Sequence, residues 1–232
     1  MLQRTSGTPA KLNPAVGTLI QENGTSNLRD MIGLMGARFV FESGTEIFAQ
    51  GEPAQYIYMV RKGCVRLSKL LSDGRRQIGA FYLPDDIFGL DAEEVHPFSA
   101  EAISDSEIVM VKRNSLVAEA IRIGEVARDL WGHTVGHLQR AQGHLLLLGR
   151  KTAQEKIGSF LLEMAKREEK NGSVELPMSR QDIADYLGLS IETVSRTFRQ
   201  FERDGVIAIS GLRHILLNNR NVLDRMNEGW VH

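Results

Sequence analysis

The 232-residue chain contains a single cysteine, Cys64, so it can close no internal disulfide and cannot supply the cysteine set of a zinc or iron–sulfur site. A reducing, cytoplasmic setting is expected. No stretch approaches the ~20 apolar residues that cross a bilayer, and no basic start runs into an apolar segment near the N-terminus. Neither a membrane span nor an export signal is therefore expected. Positive charge is not in excess either: the formal charge is −1, whereas many nucleic-acid-binding domains are strongly basic. From 150 to 232 there are 13 Lys or Arg against 12 Asp or Glu, so charge alone nominates no such segment. Catalytic signatures are missing too. There is no G-x-S-x-G elbow, no H-E-x-x-H and no G-x-x-x-x-G-K-S/T phosphate loop, so no enzyme is expected and no catalytic residue is nominated.

With 42% hydrophobic and 25% charged residues, the chain is of ordinary globular composition and long enough for two domains. Residues 1–26 lack sustained periodicity and read as an N-terminal arm. Across 27–112, short apolar runs (Phe39 to Phe41, Tyr56 to Val60, Cys64 to Leu67, Ile78 to Leu83, Ile108 to Val111) alternate with glycines at 44, 51, 63, 74 and 89. That rhythm indicates an antiparallel sandwich or barrel. From about Asn114 the apolar residues return at helical spacing, and Glu125 to Leu148 contains no proline and can be written in heptads. Trp131, Leu138 and Leu145 fill one seam position, and Ala127, Thr134, Ala141 and Leu148 fill the other. Gly132, Gly136 and Gly143 each weaken a helix by about 1 kcal/mol relative to alanine, so packing must support it. A second subunit would supply that packing across 113–149; burial against the chain's own domain is the plainer alternative.

A more specific pattern begins at Ser179. Counting from Arg180, a small residue stands fifth (Ala184), glycine ninth (Gly188) and valine fifteenth (Val194). These are the sizes needed where two helices cross steeply: close approach, a turn of positive φ, then an apolar plug. Ile183, Leu187 and Leu189 complete an inward face, leaving Gln181, Asp182 and Asp185 outside. Ser179 and Ser190 are placed to cap the two helices, and Gly205 stops the second. Val206 to Ser210 and Arg213 to Leu217 then read as a hairpin wing. The second helix turns Val194, Phe198 and Phe201 inward and Glu192, Ser195, Arg196 and Arg199 outward. Arginine can donate twice to guanine and glutamate can accept from cytosine N4, so this face can read base edges. An exposed Glu192–Arg196 ion pair of a few tenths of a kcal/mol is the alternative.

The segment Ile191, Glu192, Thr193, Val194, Ser195, Arg196 matches the E-x-x-S-R pattern of the CRP/FNR family, and the chain resembles its FixK-type activators from about Asn27 to Asn219. The run Gly63 to Leu67, the stretch Asp86 to Gly89 and the long helix before Gly149 resemble that family's sensor and dimer elements. The resemblance implies an α+β fold. A β-roll like a cyclic-nucleotide-binding domain (27–112) would lead to a helical connector and dimerisation helix (113–149) and a winged helix-turn-helix domain (150–232). It also implies a homodimer on palindromic double-stranded DNA with a TTGAT-like half-site. Glu192 and Arg196 would lie on its G·C pair, Ile191 and Ser195 near thymines, with Arg199, Ser179 and Ser190 beside them.

Family members that bind a cyclic nucleotide have Gly-Glu and then Arg-Ser. Here Gly89 is followed by Leu90, and Phe98 precedes Ser99, which would leave a ligand phosphate without its charge partner. The resemblance thus implies an activator that needs no effector or cofactor and recruits RNA polymerase to low-oxygen metabolism genes. The loop Ser72 to Arg76 and the surface near Asp85 and Asp86 are candidate polymerase contacts. A sensor-repressor of the same fold, responding to a small molecule, haem or redox change, is the alternative. His133 with His137, or Asp91, Glu93, Glu94 and His96, could ligate a metal but read more simply as surface groups. Cys64 reads as a packing residue.

Overall fold

The computed structural model describes residues 27–91, 93–168, 172–211 and 213–228; the expected arm at 1–26 and the last residues, with Trp230 and His232, lie outside the described residues. Helix α1 (Leu28–Met35) starts at Asn27, whose side chain accepts from the Asp30 amide at 2.9 Å. It buries Leu28, Met31 and Ile32 on one face, the i, i+3, i+4 spacing of a helix laid on a core.

Two four-stranded antiparallel sheets follow. One runs β1 (Ala37–Phe41), β8 (Ser106–Lys112), β3 (Tyr56–Lys62), β6 (Ile87–Phe88), and the other β2 (Glu46–Phe48), β7 (Ser99–Ala102), β4 (Val65–Leu70), β5 (Arg76–Tyr82). Side chains alternate faces along a strand, and the central strands β3 and β8 are apolar on both. Tyr58, Val60 and Ile108 meet Phe48, Val65, Tyr82 and Phe88 between the sheets. Ile57, Met59, Val109 and Val111 face the other way and are covered by Leu28, Met31 and Ile32. The β3–β4 turn needs glycine: Gly63 has φ +89°, and a Cβ there would lie 2.2 Å from Ser106 Oγ and 2.6 Å from the Asp105 carbonyl.

Helix α2 (Arg113–Arg122) leads into α3 (Gly124–Arg150), a continuous helix of 27 residues and therefore ~40 Å long. Its three interior glycines do not break it. Val126 and Leu147 are buried, and His133, His137 and His144 are half-buried along the same inner face. Among the described residues no helix is long and apolar enough to cross a membrane.

Helix α4 (Ala153–Glu168) buries Ile157, Phe160, Leu161 and Met164, and α7 (Arg220–Glu228) lies along it with Leu223 buried. The helices α5 (Arg180–Leu187) and α6 (Ile191–Arg203) pack on α4. The wing is a sheet of β9 (Ser173–Glu175), β10 (Ala208–Ser210) and β11 (His214–Leu216) in the order β10-β11-β9, one strand more than the expected hairpin. The core of this half is not self-contained. Cys64, Ile78, Phe81 and Leu83 of the β-roll join Phe160 and Tyr186 in one cluster, with the Phe81 and Tyr186 ring centroids 5.3 Å apart.

Candidate nucleic-acid interface

Local chemistry sets both helices of the interface. Ser179 accepts from the Asp182 amide while Asp182 accepts from Ser179, a complete capping box at the start of α5. Gly188 ends α5 at φ +61°, ψ 44°, and Leu148 lies against it, 3.4 Å from where a Cβ would stand. Ser190 then caps α6 by accepting from the Thr193 amide at 3.2 Å. Ala184 and Val194 are fully buried at the crossing, and Phe198 and Phe201 extend the plug.

With that face spent, Ile191, Glu192, Arg196 and Arg199 stand exposed and Ser195 half-buried on the outer side of α6. Among the described residues neither Arg196 nor Arg199 has a carboxylate within ion-pair distance. Glu192 does not orient Arg196. Its carboxylate turns back to its own amide and then to the Ser190 hydroxyl, contacts that hold its pKa below the usual carboxylate range. The helix start thus places a carboxylate one turn before an unpaired guanidinium.

Two cations that the helix pattern did not nominate border the same surface. Arg180, the first residue of α5, lies with its guanidinium carbon 3.5 Å from the Phe198 ring centroid and has no carboxylate partner among the described residues. Arg213, in the wing, lines the same cleft as Ser179 and Arg180. Arginine next to a capping serine, and again in the wing turn, was the available signal.

Asp182 and Asp185, expected outside, are turned toward the β-roll. Asp182 is 4% exposed and Asp185 half-buried, because Arg66 of β4 and Arg76 of β5 meet them there. The expected polymerase loop is altered by the same contact. Arg76 is committed to α5, whereas Asp73 and Arg75 pair with each other on the exposed turn. Asp86 is likewise bound to Arg167 of α4.

On α3 the expected seam separates into two parts. Trp131, Leu138 and Leu145 are 70%, 57% and 71% exposed, with Ala127, Thr134 and Ala141 exposed beside them. Leu148 instead packs into the core of the helix-turn-helix half, because α3 reaches the Gly188 turn at that point. The inner face carries the histidines. Burial, then the charge of Arg140, pushes the His137 imidazole down to about 4; burial also lowers His133 and His144.

The β-roll shows what fills the slot between Gly89 and Ser99. Leu90 packs on the α1 core, and Phe98 walls a cleft of about 360 Å³ with Leu67, Gly79, His137, Leu138 and Ala141. His96 is buried, stacked on Phe48 at 3.6 Å between centroids, and its Nδ1 lies 2.6 Å from Asp91. Among the described residues no three His, Cys, Asp or Glu side chains group as a metal site. Cys64 is buried, and burial pushes its thiol well above the usual range, so it packs rather than reacts.

Residues 38–120 match the cyclic nucleotide-binding domain and residues 155–226 the Crp-like helix-turn-helix domain. The nitrogen fixation regulation protein FixK of Azorhizobium caulinodans is 48% identical over 202 residues, covering 85% of this chain and 82% of that one. FixK of Rhizobium meliloti is 41% identical, covering 78% and 84%. The structure of FixK2 from Bradyrhizobium japonicum superposes with a TM-score of 0.80 at 50% identity, covering 83% of this chain and 97% of that one.

Proposed function

The chain belongs to the CRP/FNR family of transcription regulators, in its FixK branch, and we propose that this DNA-binding activator works as a homodimer that needs no small effector. It is not an enzyme. Two copies pair along Trp131, Leu138 and Leu145, presenting their α6 helices a duplex turn apart to a palindromic TTGAT-type site. In each half-site Glu192 accepts from cytosine N4 and Arg196 donates to O6 and N7 of the paired guanine, with Ile191 and Ser195 near thymines. Arg199, Arg180, Arg213 and the amides at the Ser179 and Ser190 helix starts hold phosphates and set the register. The bound dimer recruits RNA polymerase in the cytoplasm to genes of low-oxygen metabolism, the role its FixK resemblance implies. Through the exposed turn at Asp73 and Arg75 it has a charged surface for that contact.

The observation that supports this reading most is the state of α6: its apolar side is wholly buried, while Glu192, Arg196 and Arg199 are exposed with none of them paired to another side chain's opposite charge. Near-neutral overall charge does not oppose it, because Arg180, Arg196, Arg199 and Arg213 all border this one surface. Selection of bound sequences from random DNA with purified, additive-free protein tests the proposal. A two-fold symmetric TTGAT-type site is expected; no enrichment without an additive would defeat the effector-free reading.

A second reading, a ligand-responsive repressor of the same fold, is favoured by the cleft under Phe98. Titration calorimetry of candidate apolar ligands, with DNA affinity followed in parallel, separates the two.

A further inference from the structure

We propose that Arg66 and Arg76 are positioning residues for DNA binding: they tie the first helix of the helix-turn-helix to the β-roll and so set the direction in which α6 points. The inference deepens the effector-free reading above and rests on it, since it assigns to fixed charges what an effector would otherwise do.

The joint is built on one carboxylate with two tasks. Oδ2 of Asp182 accepts from the Ser179 amide at 3.0 Å and its hydroxyl at 2.7 Å, closing the cap of α5. Oδ1 accepts from Arg66 at 2.7 Å and from Arg76 at 2.8 Å. Burial opposes ionisation of Asp182, yet the Ser179 hydrogen bonds and then the two guanidinium charges hold its pKa below the usual range. Nε of Arg76 also donates to Asp185 at 2.8 Å, and Arg66 is braced from behind by Glu101 at 2.7 Å. Beside them the Gln77 amide donates to the Asp185 carbonyl at 2.8 Å.

Apolar contact, such as that of Phe81 with Tyr186, favours proximity without fixing an angle. Charge-assisted, forked hydrogen bonds do fix one. Ala184, Gly188 and Val194 lock α5 to α6, so an angle imposed on α5 is passed to the helix that carries Glu192 and Arg196. Removal of one partner leaves an uncompensated, partly buried charge at the joint and frees the domain to reorient.

The test is fluorescence anisotropy of the full-length protein on its selected site at one salt concentration, against single-base variants of that site and alongside a thermal melt. Arg76→Ala and Arg66→Ala are expected to bind about tenfold more weakly, with the ranking of site variants unchanged and the fold retained. Arg76→Lys, which keeps a cation against Asp182 and Asp185, is expected to bind more tightly than Arg76→Ala. Parent-like affinity of Arg76→Ala, an altered ranking, or an Arg76→Lys variant no better than Arg76→Ala would each overturn the proposal. If the alanine variants fail to fold, Arg76→Lys and Arg76→Gln are compared instead, and equal affinity of the two overturns the proposal. A requirement of the parent for an additive would defeat the effector-free reading instead, and the same series run with that additive still judges the joint.

Discussion

Helices α6 and α3 are both two-faced, but in opposite senses. In α6 the apolar side is consumed inside its own chain by Val194, Phe198 and Phe201, and what remains bare is charged and polar. In α3 the histidines turn inward, and among the residues left bare are the large apolar Trp131, Leu138 and Leu145. A free charged face costs little in water, so α6 is stable as it stands and gains only when hydrogen-bonding edges arrive. A bare apolar stripe is unfavourable in water, so α3 is satisfied by another apolar surface. The two helices thus require different partners, one to be read and the other to be packed.

That contrast breaks most visibly if the apolar stripe is spoiled. Leu138→Asp is expected to leave a monomer by sedimentation and to weaken binding to a palindrome by a hundredfold or more, because two linked half-sites bind far more tightly than one. Normal binding by a monomer would remove the reason for the stripe. Next comes Arg196→Ala, expected to cost about 1–3 kcal/mol at the preferred site and to relax discrimination at one base pair in a competition assay, with the dimer intact. Weaker binding with full discrimination would move Arg196 to the phosphates. Smaller still is Ser190→Ala, which removes the cap of α6 and is expected to lower unfolding free energy in urea by about 1 kcal/mol.

A separate effect, read by acidification rather than substitution, comes from the inner face of α3. With the folded value of His137 at about 4 and its ordinary value 6.5, the unfolded chain takes up the proton first. Stability is therefore full above about 6.5 and falls as pH drops from there toward about 4. Urea melts at pH 7 and pH 5 should show the loss, and His137→Gln should shallow it. An unchanged slope would assign the loss to His133 and His144 or to the carboxylates.

Much of α6 was legible because a steep helix crossing constrains size at single positions, and Ala184, Gly188 and Val194 lie within one short window. The longer strands β1, β3, β4, β5 and β8 showed as apolar runs. Strands β2, β6 and β7, with three, two and four residues, are too short to display a period, and β9 stands apart from the wing strands it pairs with. Asp182 and Asp185 misled because a carboxylate on a helix looks solvated until its partner is known; Arg66 lies 116 residues away from Asp182. Leu148 obeys the heptad, yet the repeat gives no sign that a neighbouring domain of the same chain packs on it. Arg180 and Arg213 flank the reading helix rather than lie on it, so helical spacing passed over them.

The apolar cluster that runs from β5 through Phe81 to Phe160 and Tyr186 makes the two halves poor modules. A cut after α3 would expose Phe160 and Tyr186, so limited proteolysis should yield no durable C-terminal fragment. Calorimetry should record one transition rather than two. Any chimera that transplants the reading head onto a foreign sensor would have to carry a matching strand surface along with it.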